Sequence, residues 1–405
     1  MRVFYFTEQS YPDAWSLPDQ SLRITLANRN CDPHFAHGLY RRYHDEWVEA
    51  DRLGYDIMIN EHHSTPTCLS VSSNISLAIL ARITSRARLL ALGVPLANRT
   101  DPLRVAEELS MIDVISGGRL EMGFVRGVPY EASAAVNSPI RMMERLWEAH
   151  DLILKAMTTH DGPFPFEGEF FNYRNVNIWP RPMQQPHPPV WITSSSARSM
   201  AETAKRGYVA ATFLSGYATK ALFDAYREAW RGYHGTEAPA NRLAYLGMCA
   251  IGETEAEARR RAVHCVSTIA SNSRVAPAFR NPPGYLSVAD NVRIMKSGST
   301  QRPSATKSGH PVLLSTATLD ELIDAGVIFC GTPEQVLEQV GDFRHGVGAF
   351  SNLLLMMQCA GLSHEETMSS LNLFAEGVMP RLREAQSPSP LARHVAQRLP
   401  AASEA

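Results

Sequence analysis

The sequence predicts an α/β fold, an eight-stranded (β/α) TIM barrel with a long insertion after the seventh strand. Three observations predict it. Short apolar runs alternate with longer stretches of helical period along most of the chain. The runs are apolar at consecutive positions, as in strands of a parallel sheet covered by helices. Eight strand–helix units can be counted, the number that closes into a barrel. An open doubly wound sheet is the structural alternative.

The first strand is Val3–Phe6. Leu39–Leu53 follows as an amphipathic helix, with Leu39, Tyr43, Trp47, Ala50 and Leu53 spaced by three and four. The run 55–60 (YDIMIN), a helix over Ser73–Ser85 and the run 88–94 (RLLALGV) make the next unit and a half. Asp101 and Pro102 read as the N-cap and first position of a helix. Strand Arg119–Val125 and helix Ile140–Met157 complete the fourth unit. Residues 162–189, rich in proline and aromatics, read as an excursion outside the repeat. Then come strand 190–193, helix Ala197–Arg206, strand 208–213, helix Lys220–Tyr233, strand 243–251 and helix Glu255–Ala270. Residues 275–318 show no apolar period and carry Pro, Gly, Ser and Thr, so they read as a lid-like loop. Helix Pro333–Arg344, strand Ser351–Met357 and helix Glu365–Glu384 close the chain. Residues 1–385 are expected to form one domain and 386–405 a flexible tail.

Bulk properties narrow the function. The 405 residues are 44% hydrophobic with a net charge of −2 and no long basic stripe, which argues against nucleic acid or an anionic membrane as partner. Leu353–Met357 is too short to span a bilayer, and the N-terminal apolar run reads as a strand, not an export signal. Six scattered cysteines without a C-x-x-C pair fit a reducing cytoplasm and give no zinc or disulfide pattern.

In a barrel, chemistry gathers at the carboxyl ends of the strands. Three such ends are unusual: Asn60-Glu61-His62-His63, Arg126-Gly127, and Thr193-Ser194-Ser195-Ser196 directly before a helix. The serines can cradle a phosphate at a helix N-terminus, or simply cap that helix. Arg126, one strand over, can add a charged contact or serve an ordinary ion pair. Adjacent side chains at a strand end diverge, and no third ligand stands at metal spacing, so one histidine in proton or hydrogen-bond chemistry fits better than a metal pair. A purely structural histidine is the competing reading.

These residues carry a resemblance. The chain resembles the bacterial luciferase-like monooxygenases in Glu61-His62-His63, in the run 101–108 (DPLRVAEE), and in 113–120 (DVISGGRL) leading to 123–127 (GFVRG). Ser195, Ser196 and Ser199, the run 331–336 (GTPEQV) and Leu353-Leu354-Leu355 continue it. The resemblance implies a homodimeric or heterodimeric barrel, with a homodimer expected here, that binds reduced FMN delivered by a separate NAD(P)H:flavin reductase. It implies oxygenation of a small organic substrate by O2 through a flavin C4a-(hydro)peroxide, by Baeyer–Villiger insertion or hydroxylation. It implies His62 as the catalytic histidine, Arg126 and Ser194–Ser196 at the FMN phosphate, and Glu61, Val94, Asn98 and Val125 around the flavin. Val125 stands where luciferases have a reactive cysteine, and Pro95 follows Val94 in the third strand; both leave light emission unsupported. A deazaflavin oxidoreductase on the same barrel and a non-catalytic flavin-binding protein are the alternatives.

Overall fold

A computed structural model describes residues 1–17, 21–135, 138–297 and 304–384. Eight parallel strands close into a barrel: β1 (Arg2–Thr7), β2 (Asp56–Ile59), β3 (Leu89–Pro95), β4 (Leu120–Val125), β5 (Val190–Thr193), β6 (Val209–Phe213), β7 (Leu243–Ile251) and β8 (Asn352–Gln358). The ring shuts where Val3 of β1 lies opposite Leu353 of β8. The open-sheet alternative is thereby excluded. Around the ring run α1 (Pro33–Leu53), α2 (Ser73–Ile83), α3 (Pro102–Ile115), α4 (Pro129–Ala134), α5 (Met142–Thr158), α6 (Ala197–Lys205), α7 (Thr219–His234) and α8 (Glu255–Asn272). After β7 and α8 come α9 (Pro277–Arg280), α10 (Val288–Ser297), α11 (Leu319–Asp324) and α12 (Pro333–Val347). The described chain ends with α13 (His364–Gly377) and α14 (Met379–Glu384).

The apolar strands serve two layers. In β1, Phe4 and Phe6 join Met58, Leu90, Leu92, Trp191, Leu246 and Leu354 in one buried cluster. Val3 and Tyr5 join Ile57, Leu89, Phe124, Leu353 and the helices in the other. Side chains of a strand alternate between faces, so strands of this kind must be apolar throughout. Inside the barrel, the rings of Phe4 and Trp191 meet edge to face at 5.5 Å.

The end of the barrel opposite the strand carboxyl termini is sealed by charge. Glu121, buried at the start of β4, accepts from Arg2 Nη2 at 2.9 Å, Arg88 Nε at 2.5 Å and Trp191 Nε1 at 2.6 Å. Arg2 also reaches Asp56 Oδ2 at 2.9 Å.

Several boundaries depart from the sequence reading. Helix α1 begins at Pro33, capped by Asp32, because its first residues face solvent and carry no apolar stripe. The excursion holds an antiparallel hairpin, Phe164–Glu167 with Asn172–Val176. A further strand, Ile328–Gly331, pairs with Met248–Ile251 where β7 runs past β6. The closing helix divides at Val378, just before Pro380, which cannot donate a helical hydrogen bond.

The expectation of a loop without period over 275–318 is also corrected. Val288, Val292 and Met295 recur at helical spacing in α10, and Ser304–Ala305 pairs with Pro311–Val312. Those three apolar side chains are exposed, so the stripe does not belong to the barrel core. The tail expected from residue 386 lies outside the described residues. Among the described residues no helix is long and apolar enough to cross a membrane.

Candidate functional site

The site is built where the carboxyl ends of β1 to β5 meet the loops that follow them. After β2 the chain turns through Glu61, His62 and His63. Glu61 is buried and fully engaged: Arg99 Nη2 donates to both its oxygens at 2.6 and 2.7 Å, and Ser73 donates through N–H and hydroxyl at 3.0 and 3.1 Å. The His63 Nε2 lies 2.9 Å from Glu61 Oε1. Burial pushes the Glu61 carboxyl up, but the bonds from His63 and Ser73 and the Arg99 charge outweigh it and hold it below its ordinary value. The same Glu61 bond holds the His63 imidazole above its ordinary value. Glu61, which the resemblance puts around the flavin, organises the loop through these contacts.

The two histidines diverge, as neighbours at a strand end should. His62 Nδ1 lies 2.7 Å from Glu131 Oε1, and the same oxygen accepts the His63 N–H at 3.1 Å. Glu131 sits on the short helix α4 and is 2% exposed, so its carboxylate is desolvated and aimed. Nothing in the sequence marked Glu131: it stands 69 residues from His62, in no recognised motif.

Strands β3 and β4 approach closely beside this loop. A Cβ at Gly123 would collide with the Ala91 carbonyl oxygen, so only glycine fits there. Val94 pairs with Phe124 and Pro95 with Val125, so Pro95 remains within the strand. The Leu92–Gly93 peptide is cis. Just beyond, Asn98 keeps both side-chain polar atoms buried and without a hydrogen-bond partner among the described residues. Gly127 has φ +95°, and a Cβ there would stand 2.8 Å from Asn98 Nδ2. A buried amide with a free donor and a free acceptor, beside a backbone stripped of side chains, suits the polar edge of a planar heterocycle.

Arg126, at the end of β4, lies under the insertion. Its guanidinium stacks 3.7 Å from the centroid of Tyr285, and Nη1 donates to the Tyr285 carbonyl at 3.2 Å. The Tyr285 hydroxyl in turn donates to Gly127 O at 2.7 Å. The serines are divided. Ser194 is buried, with its hydroxyl 3.2 Å from Thr203. Ser196 caps α6 in a reciprocal box with Ser199. Ser195 is exposed. Because Phe124 pairs with Ile192, the serines start two residues on, alongside Arg126. Cap and cradle are compatible, since the box leaves other N–H groups of the first turn available.

The ionic loop yields a pH test. His63, raised by Glu61, adds stability fully below its ordinary value of 6.5 and loses it as pH rises through the raised value. Glu61, depressed, adds stability above its ordinary 4.5 and loses it as pH falls through the lowered value. His63→Gln is therefore expected to cost more stability in urea melts near pH ~6 than near pH ~9. An equal cost at both would show that the pair contributes nothing.

Comparison with known proteins identifies the family. The family described as luciferase-like monooxygenase matches residues 24–349. An uncharacterized protein of Sinorhizobium fredii, y4wF, is 33% identical over 53% of this chain and 63% of its own length. The oxygenase component of a flavin-dependent trigonelline monooxygenase from Acinetobacter baylyi is 30% identical over 39% of this chain and 45% of its own. The chain thus spans between about half and two thirds of these relatives' length. Two solved structures share the fold. Monooxygenase RslO1 from Streptomyces bottropensis has TM-score 0.71 at 22% identity, covering 94% of this chain and 99% of its own. The oxygenating constituent of 3,6-diketocamphane monooxygenase from Pseudomonas putida, in complex with FMN, has TM-score 0.68 at 18% identity, covering 94% and 98%. With the family match spanning most of the barrel, this chain belongs to the luciferase-like monooxygenases.

Proposed function

We propose that the protein is the oxygenating component of a two-component flavin monooxygenase that takes reduced FMN and O2 to an oxygenated small organic product. The observation that carries this is the pairing of His62 with buried Glu131 at the same barrel mouth as the Asn98 amide, unpartnered among the described residues. When bound, reduced flavin supplies the electrons that activate O2. Glu131 accepts from His62 Nδ1 and so leaves Nε2 as the ring atom that can hold or move a proton. Asn98, Val94 and Val125 receive the flavin ring, and Arg126 with Ser194–Ser196 its phosphate. Tyr285 covers Arg126 and must swing aside or share it, which gives the insertion its role as a lid that excludes water. Both Baeyer–Villiger insertion and hydroxylation are compatible with this arrangement.

The experiment is cofactor titration followed by product analysis with reduced FMN and O2. Losing a charge-assisted contact costs about 1.5–3 kcal/mol. Arg126→Ala is therefore expected to weaken FMN by that amount and riboflavin, which lacks the phosphate, far less. Equal weakening of the two would place the phosphate elsewhere. Tight binding of a deazaflavin with no FMN binding would replace the oxygenase by a hydride-transfer enzyme.

Two features support the assembly and setting. The outer faces of the contacting helices α2 and α3 expose Ile75, Ile79, Ile83, Met111, Val114 and Ile115. A patch of this kind covers itself when two copies pack about a two-fold axis. We expect sedimentation at twice 44.9 kDa, and a monomer for the doubly charged variant Ile79→Lys with Val114→Asp. A monomeric wild type would remove the homodimer. The six cysteines are free thiols, five of them buried, which supports a cytoplasmic setting.

A further inference from the structure

Arg23 lies on the long loop after β1 and is 3% exposed. Neither its Nε nor its Nη1 has a hydrogen-bond partner, and it forms no ion pair, among the described residues. Its guanidinium carbon lies 4.9 Å from the centroid of Tyr130, the residue next to Glu131. The His62 ring borders the same Tyr130 ring at 6.5 Å. An unpaired buried guanidinium is costly, and a fold tolerates it where an anion is to be received.

The backbone around Arg23 is tied down. Ile24 N donates to Ser64 O at 2.7 Å, Thr65 Oγ1 to Leu22 O at 2.6 Å, and Leu22 N to Arg274 O at 3.0 Å. The loop that carries His62 and His63 thus holds Arg23 on one side, and the segment leaving α8 holds it on the other. The same β2 loop, through Leu69 N to Gln9 O at 2.9 Å, anchors Gln9. The Gln9 amide is also buried, with Nε2 and Oε1 both unpartnered among the described residues. The nearby carboxylates are engaged elsewhere: Glu131 with His62, and Glu8 with Asn272 Nδ2 at 2.8 Å.

We propose that Arg23 is the anchor for an oxyanion on the substrate, so that the enzyme acts on organic carboxylates or sulfonates, with Gln9 as an additional polar contact. This rests on the monooxygenase reading for what happens to the substrate, but not for its binding. Arg23 offers the planar fork that matches a carboxylate or sulfonate in two-point contact. Holding the anion near Tyr130 places the rest of the molecule by the His62 ring. The group is preorganised by its loops, so little ordering is needed on binding.

The test uses the full chain as wild type, Arg23→Met and Arg23→Lys, with benzoate, benzenesulfonate and the neutral benzamide as probes. Wild type is expected to show a saturable rise in Tm with benzoate, benzenesulfonate or both, and none with benzamide. Which anion acts distinguishes carboxylate from sulfonate. Arg23→Met should bind the anion at least about tenfold more weakly, the scale of a lost charge-assisted contact. Arg23→Lys should retain part of the response. Without ligand, Arg23→Met should melt no lower than wild type, since an apolar side chain replaces an unpaired buried charge.

Four results overturn the assignment. They are an anion response independent of Arg23, or none with either probe; a lower unliganded Tm in Arg23→Met, marking Arg23 as structural; or selective loss of FMN over riboflavin, giving Arg23 to the cofactor phosphate. Failure of the activity reading looks different: Arg23-dependent anion binding persists while reduced FMN and O2 yield no oxygenated product.

Discussion

Replacing His62 by alanine is expected to lower oxygenated product about a hundredfold or more, the usual scale for a lost acid–base group, while FMN affinity stays within a few-fold. The expectation follows from how His62 is held. Its Nδ1 lies 2.7 Å from Glu131 Oε1, so the imidazole is fixed in orientation and the other ring nitrogen is left open for the proposed proton chemistry. The side chain is 19% exposed, which leaves it reachable from the barrel mouth. Single-turnover assays with reduced FMN separate binding from chemistry. Unchanged product yield in His62→Ala would move the proton role elsewhere, with His63 the next candidate. Equal losses of FMN affinity and product would make His62 a binding group.

The second large effect concerns stability and lies at the opposite end of the barrel. Glu121→Ala is expected to destabilise the fold by about 1–3 kcal/mol, because it leaves the buried Trp191 Nε1 donor unpaired and takes a carboxylate from two partly exposed arginines. Three donors converge on this carboxylate, and one of them, Trp191 Nε1, is fully buried inside the barrel. The loss should appear as a Tm drop of about 1–4 °C, since the entropy of unfolding grows with chain length. Flavin affinity of the folded variant should be unchanged, since the site occupies the other face. A cost below about 1 kcal/mol would show that water replaces the carboxylate readily, as at an exposed ion pair. Glu121→Gln should cost less, keeping an acceptor for Trp191 while giving up the charge.

The two experiments probe a division of labour common to barrels, with stability at the amino ends of the strands and chemistry at the carboxyl ends. Here both ends use carboxylates. Glu121 has only partners to satisfy. Glu131 holds a histidine in position.

The barrel was legible in the chain because its information is local. Consecutive apolar residues in β3, β7 and β8 and the three-to-four spacing in α1 follow from period alone. Asp101 and Pro102 announced α3 because a cap and a first-turn proline act within one turn. The run Glu61-His62-His63 could be placed at a strand end, and its two histidines could be expected to diverge, because side-chain direction alternates along an extended chain. Short elements with weak or outward-facing period escaped: Ile328–Gly331 is four residues long, and the apolar stripe of α10 faces solvent.

Only the tertiary structure decided the partners. Glu131 reaches His62 across 69 positions, Tyr285 stacks on Arg126 across 159, and the neighbours of Arg23, Ile24 and Leu22, are tied to Ser64 and Arg274. Each is a contact between loops on different strands, set by closure of the barrel and invisible to any periodicity. Whether Arg23 is an ordinary surface cation or a buried one without an ion pair among the described residues depends wholly on what folds around it. That burial determines its desolvation cost, and so whether it calls for an anion.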